Sequence, residues 1–364
     1  MEDELDRPAR EIRLDRGSTL GAAVLDTPTS SRSRRNKRTG LKQFAKRESA
    51  WALGDLLLTR TDRRGIPILN RITNAISVDV EDYFHAEALA AYVRRDEWDT
   101  LQSRVVDNTL RVLELFNPSG VKATFFILGW VADRFPKLVR EIQGAGHEIA
   151  CHSYFHRPIY RLSPEEFRED TRRAVRAIED ACGIKLEGYR APTFSITKNS
   201  LWALEILAEE GFQYDSSIFP IHHDLYGMAN WPRFPTVCTL QDKRELLEFP
   251  LSTFRLLGTN WPFGGGGYLR IFPSSYTHRG FFELNEREKM PVIVYFHPWE
   301  VDPDQPRFNL GARSRFRHYT NLKRMKQRIA DLLQRYSFVP LSQLRGAVGA
   351  GLPRTSLQME GVAC

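Results

Sequence analysis

Long apolar runs are absent from this chain. No stretch approaches the roughly 18 consecutive apolar residues of a membrane-spanning helix, so none is expected. The N-terminus, MEDELDRPAREIRLDRG, is acidic from its second residue and has no apolar segment, which argues against a secretory leader. The expectation is a cytoplasmic protein, at most resting on the inner face of a membrane. Cysteine is scarce. The 4 residues Cys151, Cys182, Cys238 and Cys364 show no C-x-x-C spacing, which excludes a disulfide scaffold or zinc knuckle and suits reduced thiols. No repeat at a solenoid period is present. An excess of one charge is also missing from most of the chain. Net charge is +7, but residues 1–70 carry 15 Lys and Arg against 10 Asp and Glu, leaving the rest nearly balanced. The basic run SRSRRNKR (31–38) is all that would serve a nucleic-acid partner, and it reads as part of a solvated, disordered tail. No nucleic acid is expected.

What is present is ordinary for a globular protein, 42% hydrophobic and 27% charged. From about residue 72 strand-like and helix-like segments alternate. NAISVDV (74–80) reads as a strand and VVDNTLRVLELF (105–116) as a helix stopped before Asn117-Pro118. KATFFILG and HEIACHS are strands. SPEEFREDTRRAVRAIEDACG is a helix with Ser163 as N-cap, Pro164 in the first turn, Glu166 closing a capping box and Gly183 after its end. Strands at 187–192 and 213–219 follow, separated by a helix. Residues 221–275 break the alternation with Pro, Gly and aromatics, NWPFGGGGY among them, and read as an irregular or hairpin insert. A helix, the strand PVIVYFHPWE, the helix 318–336 and the strand SFVPL complete the chain. Alternating units imply α/β architecture, a parallel sheet covered by helices. Three regions are expected: a basic tail (1–70), a main domain (71–300) and a C-terminal extension (301–364) whose helix completes it.

In such folds sites form at the carboxyl ends of the strands. Here those ends carry Asp79, Glu81 and Asp82, then HSYFH (152–156), Arg190, Asp215 and His297. His152 and His156 share a face if the loop makes a helical turn. Neutral imidazoles so placed, with a carboxylate, suit Zn²⁺. Position 153 is Ser, so the helical HExxH arrangement does not apply. Trp231, Trp261, Phe263, Tyr268 and Trp299 offer either sugar-stacking faces or core, and Arg313, Arg315, Arg317 and His318 either an anion grip or a charged helix start.

DVED, HSYFH, RAP (190–192), YDSS and YFHP occur in an order that resembles the polysaccharide deacetylase family with the NodB-homology domain, over about residues 75–300. DVEDYFHAEAL and SRFRHYTNL resemble its subgroup associated with bacterial exopolysaccharide gene clusters. The resemblance implies a distorted, incomplete (β/α) barrel and a divalent-metal hydrolase, Zn²⁺ favoured, that removes acetyl groups, N-acetyl first, from an amino-sugar glycan. It implies Asp79 as the base toward the attacking water and Arg190 as its support. It implies His297 as the acid, held protonated by Asp215, and a backbone N–H near Thr193 for the oxyanion. His152, His156 and a second carboxylate would hold the metal. The family pattern has adjacent acids, whereas Val80 follows Asp79 here, so Glu81 and Asp82 both stand as that carboxylate. A hydrolase of another non-peptide C–N bond and a non-catalytic carbohydrate-binding protein are the competing readings. Oligomeric state is not legible.

Overall fold

The computed structural model describes residues 72–223, 225–348 and 352–357, so the basic tail lies outside the described residues. Its centre is β1 (Asn74–Val80), buried along its whole length as a strand flanked on both sides must be. The remaining strands are β2 (Thr124–Ile127), β3 (Glu148–Cys151), β4 (Gly188–Tyr189), β5 (Tyr214–Asp215), β6 (Thr236–Thr239), β7 (Glu245–Glu248), β8 (Thr253–Leu256), β9 (Thr259–Pro262), β10 (Ile293–Phe296), β11 (Phe338–Val339) and β12 (Arg354–Ser356). One sheet runs β10-β1-β2-β3-β4-β5-β7-β6-β12, and β11 pairs with the start of β1. Only β6 and β7 are antiparallel within it. The path ends at β10 and β12 without joining, so the barrel is open.

Among the described residues ten α-helices lie between the strands: α1 (Val105–Phe116), α2 (Gly129–Arg134), α3 (Pro136–Gly144), α4 (Pro164–Cys182), α5 (Trp202–Glu209), α6 (Gly266–Ile271), α7 (Ser274–Phe281), α8 (Ala312–Tyr319), α9 (Leu322–Arg335) and α10 (Leu341–Val348). The boundaries read for α1 and α4 coincide with the observed ones. In α4 the Ser163 side chain accepts from the Glu166 N–H, the Glu166 carboxylate accepts from the Ser163 N–H, and Gly183 closes the helix in the left-handed region. Residues 221–275, read as irregular or hairpin, hold two antiparallel strand pairs. They supply β6 and β7 to the main sheet, and β8 and β9 form a separate hairpin. The glycine run has a steric reason: a Cβ on Gly265 would stand 1.9 Å from the Tyr295 ring, and Gly265 bridges to Tyr295 along the free edge of β10.

Strand alternation separates two apolar layers. Val78, Val80, Phe125, Ile127, Cys151, Tyr189, Val294 and Phe296 belong to the larger cluster, together with apolar residues of α1, α3, α4 and α9. Ala75, Phe126, Ala150, Tyr214, Leu247, Ile293 and Tyr295 form the smaller cluster on the other, inner face. Because side chains alternate, extending the inner series along each strand reaches Asp79 and Glu81, His152, Arg190 and His297. Asp215 and Glu248, each next to an inner residue, carry the opposite parity. This alternation decides which candidate residues meet.

Candidate active site

β10, β1, β2, β3 and β4 are neighbours and parallel, so their carboxyl ends lie side by side. Arg190, fully buried, reaches back along β1, its Nη1 donating to Ser77 Oγ and to Asp79 Oδ1, both at 2.7 Å. Its Nε and Nη2 donate to the Ser216 carbonyl and hydroxyl, and its plane lies 4.1 Å from the Phe126 ring centroid. Four of its five N–H groups are so engaged, which fixes the guanidinium and commits one Asp79 oxygen to it. The other, Oδ2, lies 4.0 Å from His297 Nε2.

Glu81 and the two histidines converge. The ligating atoms of Glu81, His152 and His156 all lie within 4.8 Å of one another. His152 Nδ1 is 2.8 Å from the Arg190 carbonyl, which can only accept, so the ring proton sits on Nδ1 and the Nε2 lone pair is left for a cation. Burial, the largest influence, pushes the His152 pKa down to about 4 against the pull of Asp79, and a neutral ring is what ligation requires. Glu81 Oε2 lies 2.8 Å from His156 Nε2 and has no well-directed hydrogen bond, although Glu81 is buried. Burial by itself would raise the Glu81 carboxyl, but His156 and His297 outweigh it and hold the group well below the usual carboxylate range. Two imidazoles, one ionised carboxylate and an underused buried oxygen fit a divalent metal.

The histidines do not meet by a helical turn. Residues 152–157 have no helical assignment, and Ser153 and His156 adopt φ of 67° and 52°. Left-handed backbone at two non-glycine residues is costly, and Asp170 of α4 holds it: its Oδ2 accepts from Ser153 Oγ at 2.6 Å and from the Tyr154 N–H at 2.8 Å. Thr193, near which the oxyanion N–H is expected, lies in the tight turn Pro192–Phe194 at φ 56°.

Two expectations need correction. Asp82 is not with the metal-type cluster. Its Oδ1 accepts from the Tyr83 N–H, and its Oδ2 accepts from Ser103 Oγ and the N–H groups of Arg104 and Val105, so it caps the turn after β1 and ties it to the start of α1. Glu81 keeps the inner parity of Asp79 and Asp82 loses it. Nor does Asp215 hold His297. The His297 partner is Glu300, whose Oε2 lies 3.0 Å from both the backbone N and Nδ1 of His297. Burial alone would lower the His297 pKa, but Glu81, Glu300 and Asp79 raise it to about 9. Asp215, on the opposite parity, is paired in register with Glu248 and accepts from Ser217 Oγ.

That buried pair yields a stability prediction. Asp215 Oδ2 and Glu248 Oε2 both lack another partner. Burial raises Asp215 to about 6 and Glu248 well above its ordinary value, the nearby Asp215 charge adding to the latter. One shared proton satisfies both oxygens. Since the folded pKa values exceed the unfolded ones, the stabilisation is complete below about pH 4 and is lost as pH rises through about 6 and beyond. Glu248→Gln supplies a permanent N–H to Asp215. Buried neutral histidines such as His152 raise the urea midpoints of both proteins alike between pH 4 and 8, so the expected result is a difference: the variant gains on the wild type as pH rises, by an amount on the order of 1–3 kcal/mol in stability. Parallel curves would show that no proton is shared.

Residues not picked out as functional from the sequence are Glu300 and Arg270. Trp299, considered there as a sugar platform or core, donates its indole N–H to Glu81 Oε1 and stacks 5.2 Å from the His297 ring. His318 stacks on Trp299 at 4.4 Å. A signal for Glu300 was available: H-P-W-E has proline at the first position and an acid at the third, a helix-start pattern that folds Glu300 back onto His297. No local pattern marks Arg270. Of the other aromatics, Trp231 and Phe263 are core, Tyr268 packs against the inner layer, and Trp261 is exposed on the β8–β9 hairpin.

Residues 97–214 match the family described as Polysaccharide deacetylase, and residues 216–345 match a Domain of unknown function (DUF3473). The peptidoglycan-N-acetylglucosamine deacetylase of Bacillus cereus is 33% identical over 98 residues, 27% of this chain and 36% of that protein. A peptidoglycan deacetylase-like protein of Gibberella zeae is 30% identical over 202 residues, 53% of this chain and 58% of its own length. The chain therefore spans between about a third and three-fifths of these relatives. A crystal structure from Mycobacterium smegmatis shares the fold at TM-score 0.52 and 21% identity, covering 80% of this chain and 96% of that one. An allantoinase shares it at TM-score 0.51 and 16% identity, covering 78% and 92%. The family match and the deacetylase relatives agree on one part of the chain: residues 97–214 are a polysaccharide deacetylase domain.

Proposed function

We propose that the protein is a metal-dependent deacetylase acting on N-acetyl groups of an amino-sugar polysaccharide or oligosaccharide. The observation that carries this reading is the placing of an Arg190-bound carboxylate, Asp79, beside a Glu81–His152–His156 cluster and opposite His297. The names of the Bacillus and Gibberella relatives support the substrate class. The subgroup motifs DVEDYFHAEAL and SRFRHYTNL support a role in exopolysaccharide metabolism. The donor set suits Zn²⁺, and a divalent cation there would supply Lewis acidity toward the acetyl carbonyl and the attacking water.

The chain's own groups supply the proton chemistry. Asp79 Oδ2 takes the proton of the attacking water while Oδ1 stays on Arg190, which holds the carboxylate in place. His297 Nε2 lies on the Glu81 and Asp79 side, 3.4 Å from Glu81 Oε1, and gives its proton to the departing amine. Trp299 ties the two together, donating its indole N–H to Glu81 Oε1 and stacking on the His297 ring. Acetate release from a panel of N- and O-acetylated glycans, by metal-stripped and Zn²⁺-reloaded protein, tests the reading. Zinc-dependent release from an N-acetylated glycan is expected. No release from any glycan, with hydrolysis of a cyclic amide instead, overturns it.

A further inference from the structure

His297, Trp299, Glu300 and Arg270 all fall within 216–345, the segment matching the domain of unknown function. They form one connected unit. Arg270, on α6, is buried and donates from Nε to Glu300 Oε1. Its Nη1 and Nη2 donate to the carbonyls of Thr320 and Arg317 at the α8–α9 junction, at 2.8 and 2.7 Å. Its plane lies 5.3 Å from the Trp299 ring centroid. Glu300, fully buried, spends Oε1 on Arg270 and Oε2 on the backbone N–H and Nδ1 of His297. A buried carboxylate held by a buried guanidinium accepts and does not donate, so the hydrogen on His297 Nδ1 is fixed and Nε2 is aimed at Asp79 and Glu81.

We propose that Glu300, anchored by Arg270, is the positioning residue of His297, and that the segment 216–345 supplies the acid half of the active centre. The inference rests on the deacetylase reading and names the group that serves it. As the C–N bond of the tetrahedral adduct breaks, its electron pair goes to nitrogen, which takes the proton from His297 Nε2. The imidazole is left neutral with its Nδ1–H still on Glu300, which keeps its charge throughout. The first proton of the attacking water resides on Asp79 and the second leaves on acetic acid, which ionises to acetate in solvent; the amine departs neutral, and loss of the Asp79 proton with reprotonation of His297 resets the site.

Glu300→Gln and Glu300→Asp in the Zn²⁺-reloaded full chain test it with two substrates. An N-acetylated chitooligosaccharide needs its leaving amine protonated, whereas 4-nitrophenyl acetate releases a phenolate that does not. In Glu300→Gln, kcat on the amide is expected to fall by about 10²-fold or more, with KM little changed. The ester rate should fall far less, so the amide-to-ester ratio drops at least about tenfold. Glu300→Asp should recover part of the ratio. Zinc content and the thermal midpoint separate this from unfolding. Nitrogen-15 shifts of the His297 ring, read on metal-free protein, should show a protonated, hydrogen-bonded Nδ1 in the wild type and its loss in Glu300→Gln. Equal losses on both substrates, or identical ring signals, overturn the positioning role. A wild type inactive on every acetylated glycan but with the expected ring signals would instead sink the deacetylase reading alone.

Discussion

His152→Ala and His156→Ala are each expected to lose bound zinc, and with it acetate release, while remaining folded. His152 has a neutral ring, an Nδ1 proton committed to the Arg190 carbonyl and an Nε2 lone pair among Glu81 and His156. His156 approaches Glu81 Oε2 at 2.8 Å. Deleting either imidazole leaves two ligands, too few to compete with water. Partners outside the ligand set are commonly worth about 10–100-fold in affinity, so loss of a ligand should cost more than about 10²-fold. Metal content after dialysis against a buffered zinc series is the measurement. The fold should survive, because the strained loop is held by Asp170 and not by the rings. Full zinc occupancy in either variant would falsify the ligand assignment.

Asp79→Asn should fail differently. It removes the proton acceptor and leaves Glu81, His152 and His156 in place, so zinc should still bind while turnover falls by about 10²–10⁴-fold. Glu81→Gln is the counterpart and should lose metal first. Asp82→Asn should keep metal and most turnover and lose stability, because two N–H groups of the α1 start and the Ser103 hydroxyl depend on its Oδ2. Asp79→Asn also leaves Arg190 buried beside a neutral amide, and a broken buried pair costs about 3–5 kcal/mol. Activity is therefore to be compared at a temperature where circular dichroism shows both proteins folded. If Asp79→Asn loses zinc and Glu81→Gln retains it, the roles of base and ligand are exchanged.

Much of this site was legible along the chain because the pleat of a strand is a local property. Ser77, Asp79 and Glu81 share one parity of NAISVDVE, and H-S-x-x-H and R-x-P each stand at a strand end in a sheet whose parallel order follows from alternating units. Stacked ends and shared parity bring Asp79, Glu81, His152 and Arg190 together, whereas His156 depends on the loop that Asp170 holds. The choice between Glu81 and Asp82 was open, because Asp82 is disqualified by the N–H groups of Arg104 and Val105, which approach it only when α1 docks. The partner of His297 was misread for a related reason. Asp215 also stands at a strand end, but its neighbour Tyr214 belongs to the inner layer, so its carboxylate turns to Glu248 on the other side. Glu300 reaches His297 through a local turn, whereas Arg270 is brought to Glu300 by the packing of α6 against α8 and α9, thirty residues away in sequence. Alternation assigns each side chain a face because it acts between adjacent residues. Which residues on that face touch depends on register and helix docking, which are settled by long-range burial and leave no periodic mark in the chain.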